Sequence, residues 1–194
     1  MKVHDHRKIH KGLYTSKKNI IQVLEVPELQ FIVTQGSGPK NVYSMHEGNE
    51  FWSINRVTNR LKEMTKTNMD YKFKLMPLEV VWSEVGNDTW TWTAMMQVPD
   101  LITQNLFEEA IHELEKRKRS VRVPVSLEKI QQGRSVQTLH LGPYHLVDQT
   151  INKLKEYCDL NGFEITTDFR EIYSNAPFCN PPEKAQTIVR VGIR

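Results

Sequence analysis

The sequence predicts an α+β fold made of two fused strand–helix–strand–strand modules, related by a pseudo-twofold axis, with antiparallel sheets around a central cleft. Short alternating stretches bounded by Gly and Pro mark strands, and long stretches with a 3.6-residue apolar period mark helices. The order of these elements also repeats. Residues 29–35, Gly38-Pro39, a helix over 49–66, Glu79 on a strand and a strand over 89–97 form the first set. Residues 136–141, Gly142-Pro143, a helix over 145–160, Glu171 on a strand and a strand over 185–193 form the second. A repeat of this size implies two like units, with helices on one face and the other face at the cleft. Strands joined by such helices exclude a simple β-sandwich.

Taken in order, residues 1–19 are polar and basic, with His4, His6 and His10 irregularly spaced, and read as a flexible N-terminal arm. Residues 20–194 read as a single domain, with repeats at about 20–100 and 120–194 joined by a helix over 103–119. Strands over 20–25 and 29–35 flank Pro27, which predicts a bulge or bend at Val26-Pro27-Glu28. The turn Gln35-Gly36-Ser37-Gly38-Pro39 lacks the Lys-Ser/Thr ending of a phosphate loop. In the 49–66 helix, Phe51, Ile54/Asn55, Thr58, Leu61 and Met64/Thr65 form the inward stripe, with Trp52 and Val57 off it. Residues 70–74 form an extended connector, and 78–85 a strand turning at Gly86-Asn87-Asp88. Trp90, Trp92, Ala94 and Met96 then share one face of the next strand.

Leu106, Phe107, Ala110, Ile111 and Leu114 point inward from the 103–119 helix, and Lys116-Arg117-Lys118-Arg119 suits its C-terminus. Pro124 within the extended residues 121–130 predicts an edge position. Val136, Thr138 and His140 share one strand face opposite Gln137, Leu139 and Leu141. Gly142-Pro143 breaks that strand, because Pro fixes its own backbone and Gly permits almost any. Leu146, Ile151, Leu154 and Tyr157/Cys158 make the stripe of the helix that follows, and Asn161-Gly162 ends it. Glu171 and Tyr173 share a face of the next strand, and a Pro-rich loop over 175–183 leads to the last one.

A length of 194 residues, 39% hydrophobic and 25% charged, fits an ordinary globular protein. The net charge of +3 is mild, and no basic stripe with interleaved aromatics or helix-turn-helix points to direct nucleic-acid binding. Cys158 and Cys179 match no metal or disulfide framework, so a reducing cytoplasm is the expected setting. The first residues lack the apolar core of a signal peptide, and no stretch reaches membrane-spanning length. Neither a metal nor a cofactor is called for.

The candidate functional residues are aromatic and acidic. Trp90 and Trp92 offer rigid planar faces, which suit planar guests or ordinary core packing. A carboxylate among aromatics is partly desolvated, so its pKa rises and it can receive a cation or act as a general base. Glu171 is read this way, with Tyr173 or Tyr144 as hydrogen-bond donor; a salt bridge from Glu171 to Arg170 or Arg190 is the structural alternative. Glu79 is open to a binding role or to fold-internal pairing, and His140 to a catalytic role or to a satisfied, half-buried one.

The pattern Met76-Pro77-Leu78-Glu79…Trp82, Trp90-x-Trp92, Gln137-Thr138-Leu139-His140-x-Gly142-Pro143-Tyr144, Glu171-Ile172-Tyr173-Ser174 and Thr187-x-x-Arg190 resembles the GyrI-like (DNA-gyrase-inhibitor-like) small-molecule-binding proteins, from about residue 13 to 194. The resemblance implies a duplicated fold with a ligand cleft, in which an acidic residue and aromatics receive planar, hydrophobic or cationic drugs or toxins. Trp82, Trp90, Trp92, Glu79 and His140 would bind the ligand, while Glu171, Tyr173 and Tyr144 would be catalytic. The Trp-x-Trp and Glu-Ile-Tyr elements are most similar to members that hydrolyse cyclopropane-bearing DNA-alkylating natural products. Two departures bear on catalysis: Arg170 stands where many members have His, and His145-Leu146-Val147 follows Gly-Pro-Tyr where many have an acidic residue, with Asp148 only later. Three functions follow: cytoplasmic small-molecule binding first, ring-opening hydrolysis with Glu171 as general base as the alternative, and a gyrase-inhibitor-like protein-interaction module as the third.

Overall fold

The computed structural model describes residues 2–86, 89–119 and 121–194. The expected turn residues Asn87 and Asp88 lie outside them. In chain order the elements are β1 (Val3–His4), α1 (His6–Ile9), α2 (Lys11–Tyr14), β2 (Gln22–Gly38), α3 (Ser44–Glu47), α4 (Glu50–Met69), β3 (Lys72–Phe73), β4 (Leu78–Gly86), β5 (Thr89–Val98), α5 (Gln104–Lys116), β6 (Ser126–Leu141), α6 (Val147–Leu160), β7 (Arg170–Tyr173) and β8 (Gln186–Gly192). A single 3₁₀ turn, Tyr144–Leu146, precedes α6.

Six strands close into a barrel in the order β2-β5-β4-β7-β8-β6, and every pair in it is antiparallel. Each half contributes three strands in the same arrangement, the first beside the third and the third beside the second. The halves meet where β4 pairs with β7 and β2 with β6. This is the duplicated α+β architecture with its pseudo-twofold relation.

Helices cannot fit inside six strands, so the face they cover is the outer one. Ile54, Val57 and Leu61 of α4 and Leu106, Phe107 and Ala110 of α5 pack there on Ile32, Val80, Trp92 and Ala94. Val147, Ile151 and Leu154 of α6 cover Val136, Val189 and Val191 on the other half. The inner face is filled by Leu13, Val26, Leu29, Phe31, Val33 and Met95. The cleft therefore opens on the helix-bearing face, between the helix layers, because the other face is closed around its own core.

Residues expected as a solvated arm are instead ordered. β1 pairs with β3, the Asp5 side chain caps α1 by accepting from the Arg7 backbone N–H, and Leu13 is buried. The Leu13 carbonyl accepts from Arg190, and the Gly12 carbonyl accepts from Gln137 Nε2 at 2.9 Å. Helices of four residues give no readable period, so composition alone masked this segment. Burying Leu13 contributes roughly 2 kcal/mol to holding it.

β2 runs unbroken through Pro27, which falls between the pairs Val26↔Gly133 and Glu28↔Gln131. Leu24 and Val26 before it, and Leu29, Phe31 and Val33 after it, all join the inner core, so the alternation slips by one residue there. Opposite this slip Gly133 adopts φ 69°, a left-handed backbone that Gly takes without strain. β6 is not an edge strand: it pairs with β2 and β8, and Pro124 lies before it. Val57 joins the buried stripe of α4, and Val147 replaces the exposed Leu146 on α6, because the 3₁₀ turn delays the start of the helix.

Candidate ligand cleft

The register between β4 and β7 decides which side chains enter the cleft. Val80 pairs with Glu171 and Glu79 with Ile172, and cross-strand partners share a face. Glu171 and Tyr173 therefore point outward with Val80 and Trp82, while Glu79 and Arg170 point into the barrel. Trp82 pairs with Trp92, and Glu84 with Trp90, which extends the aromatic surface onto β5. Pro143 and Tyr144 come from the turn after β6, Asp148 from the first turn of α6, and Lys40 and Tyr43 from the loop after β2. Together these residues line a cavity of about 690 Å³ that includes Trp82, Trp90 and Glu171 but not Trp92.

Glu171 is only 3% exposed. Its Oε2 accepts a hydrogen bond from the Tyr173 hydroxyl at 2.9 Å. Its Oε1 lies 3.8 Å from the Lys40 ammonium and has no hydrogen-bond partner among the described residues. Lys40 Nζ in turn sits 2.6 Å from Asp148 Oδ1 and 5.0 Å from the centre of the Trp90 ring. Burial raises the Glu171 pKa to about 7, against the opposing pull of Lys40 and the Tyr173 hydrogen bond. The Tyr144 ring meets Tyr173 edge-on at 5.3 Å and Tyr43 at 5.6 Å. Burial pushes both the Tyr144 and Tyr173 phenols up, so each keeps its proton to donate. The Trp82 indole N–H is buried beside this pair, close enough to the Glu171 carboxylate and the Tyr173 hydroxyl to pull the pKa of both down against the effect of burial.

Five of the eight sequence-predicted residues converge here: Glu171, Tyr173, Tyr144, Trp82 and Trp90. Three do not. Glu79 is fully buried inside the barrel, where it accepts from the Tyr14 hydroxyl at 2.8 Å and from Arg170 Nη1 at 3.1 Å. The repeat suggested that Glu79 matches Glu171, but the register makes Val80 the residue opposite, and one residue reverses the face. Trp92 shares its face with Trp90 but is packed into the core, pressed on Gly36 so closely that a Cβ there would lie 2.2 Å from its ring. His140 is buried beneath the turn. Its Nε2 lies 3.1 Å from the Pro143 carbonyl, so it donates there and Nδ1 accepts from the Thr150 hydroxyl at 2.8 Å. This pins the Gly142-Pro143-Tyr144 turn to α6 and so positions Tyr144.

Lys40 and Tyr43 complete the cleft without having been singled out, and Asp148, noted in the sequence only as an acidic residue arriving late after Gly-Pro-Tyr, lines it with them. The repeat held a signal for Lys40, since it follows Gly38-Pro39 as Tyr144 follows Gly142-Pro143, and both line the cavity. Among the described residues no group of three or more His, Cys, Asp or Glu is placed to hold a metal, and no helix is long and apolar enough to cross a membrane.

No protein-family model and no curated protein matches the sequence. Solved structures do. An uncharacterized conserved protein from Listeria innocua is 26% identical with a TM-score of 0.88, over 98% of this chain and 100% of that one. A hydrolase from Listeria innocua is also 26% identical, with a TM-score of 0.86 over 100% of both chains. The C-terminal domain of EcmrR is 11% identical with a TM-score of 0.57, over 90% of this chain and 97% of that domain, a likeness of fold alone. The chain thus shares, along nearly its whole length, the fold of the two Listeria proteins.

Proposed function

We propose that the protein is a hydrolase that admits planar, apolar electrophiles to the cleft and uses Glu171 to activate water against them. The observation that carries this reading is a buried carboxylate facing the cleft, with one oxygen making no hydrogen bond among the described residues; burial raises its pKa to about 7. A base in this range holds enough of its ionised form near neutrality and accepts a proton readily. Aromatic walls suit flat guests, and an exclusively structural carboxylate would have both oxygens paired. The hydrolase from Listeria innocua, alike along its whole length, supports the same class of reaction.

For a cyclopropane conjugated to a carbonyl, the substrate class that the GyrI-like resemblance implies, the step balances as one added water. Glu171 takes a proton from water, and the water oxygen bonds to a ring carbon. The strained C–C bond breaks, its electron pair moves to the carbonyl oxygen, and that oxygen is protonated. Tyr144 is the donor best placed for this oxygen, because the Tyr173 hydroxyl is engaged with Glu171. Stabilising such a developing charge is worth roughly 3–4 kcal/mol per donor. The volume and aromatic lining also support a second reading, sequestration without turnover.

Incubation with a cyclopropane-bearing DNA alkylator, followed by mass spectrometry, separates these readings. The hydrolase reading expects catalytic gain of one water that is lost in Glu171→Gln. Stoichiometric binding without product leaves sequestration, and the absence of both overturns the cleft assignment.

A further inference from the structure

A carboxylate beside an aromatic face is the usual receptor for an organic cation, since one supplies charge and the other a ring quadrupole. In this cleft both features are already used. The Lys40 ammonium lies 3.8 Å from Glu171 Oε1 and 5.0 Å from the Trp90 ring centre, where a guest cation would draw on both. It is held there by Asp148 Oδ1 at 2.6 Å, a contact that joins the loop after β2 in one half to α6 in the other. Its side chain is 17% exposed, so its charge is only partly screened by water.

We propose that Lys40 is a resident cation that sets specificity: it excludes positively charged guests and restricts the cleft to neutral planar ligands. This rests on the cleft reading above and narrows its substrate class. A second positive charge beside the ammonium meets repulsion that the partly buried site screens far less than bulk water does. The Glu171–Trp90 corner is open to it only if Lys40 leaves. Neutral electrophiles meet no such barrier, and the ammonium is a further donor toward their carbonyl oxygens.

The test uses two probes of nearly the same outline, acridine held neutral in mildly alkaline buffer and N-methylacridinium, followed by calorimetry. Wild-type protein is expected to bind acridine at least about tenfold more tightly than the cation. Lys40→Met keeps the aliphatic stem and removes the charge, and the cation is expected to gain at least about tenfold. Adding Glu171→Gln to that variant is expected to abolish the gain, and Lys40→Arg to retain the exclusion. Because the key readout is a gain of binding, a misfolded variant cannot imitate it. Equal affinity of the two probes for wild type, or no cation gain in a Lys40→Met protein that still binds acridine, overturns the proposal alone. Failure of wild type and Lys40→Met to bind either probe overturns the cleft reading and the proposal with it.

Discussion

Two glutamates one residue apart in register occupy opposite faces of the β4–β7 junction, and both are almost inaccessible to water. Glu79 lies inside the barrel with a guanidinium on one oxygen and a phenol on the other. Glu171 faces the cleft with one oxygen held by Tyr173 and the other lacking a hydrogen bond. Burial is therefore common to both, and satisfaction is what differs. A carboxylate with both oxygens paired is part of the fold, whereas one left partly unpaired toward a cavity retains capacity for chemistry.

Replacing each glutamate should break this contrast in opposite ways. Glu171→Gln is expected to reduce turnover about 10²- to 10⁴-fold, read as rate of water gain. The same change should stabilise the protein above neutral pH. Folded Glu171 stays protonated to about pH 7, whereas an unfolded glutamate ionises near 4.5. The unfolded chain thus binds fewer protons between those values, and stability falls as pH rises through that window. Removing the group should recover up to about 3 kcal/mol, seen as a higher Tm at alkaline pH and little change under acid conditions.

Glu79→Gln should do the reverse. Arg170 would be left buried without its counter-ion, at a cost of about 3–5 kcal/mol, or a fall in Tm on the order of 10 °C. Affinity for an acridine probe should hardly move. A matching pair of tryptophans sharpens the comparison. Trp92→Ala empties a core site beside Gly36 and should destabilise by about 3–5 kcal/mol. Trp90→Ala should lower Tm less than Trp92→Ala, since its ring is only partly buried, and weaken ligand binding about tenfold, because that ring lines the cavity. The smallest effect is expected from Tyr173→Phe. Loss of its hydrogen bond to the ionised carboxylate should move the rising limb of the pH–rate profile, near pH 7 in wild type, to higher pH.

Strand alternation made much of this legible from residues alone. It placed Glu171 with Tyr173, and Trp90 with Trp92, on common faces, and the repeated element order gave the duplicated architecture. Alternation is blind to depth, however: Trp92 and Trp90 share a face, and only packing under the helices and against Gly36 separates core from cleft. Register was the other gap. Matching Glu79 to Glu171 by position along the repeat was off by one residue, which in a strand reverses the side chain. Lys40 lies in a loop where no period exists to be read, and the Leu13-Tyr14 pair is too short for one. Contacts reaching from Tyr14 to Glu79 and from Lys40 to Asp148 span 65 and 108 positions, distances that local pattern does not carry.

The claim that these two carboxylates differ in kind is tested most directly by titrating glutamate side-chain carboxyl carbons by NMR in wild type and in Glu171→Gln. One resonance is expected to titrate near pH 7 in the wild type and to be missing from the variant. If Glu171 instead titrates in the ordinary carboxylate range, it is held as an ionised structural partner of Lys40, and the proposed base is contradicted.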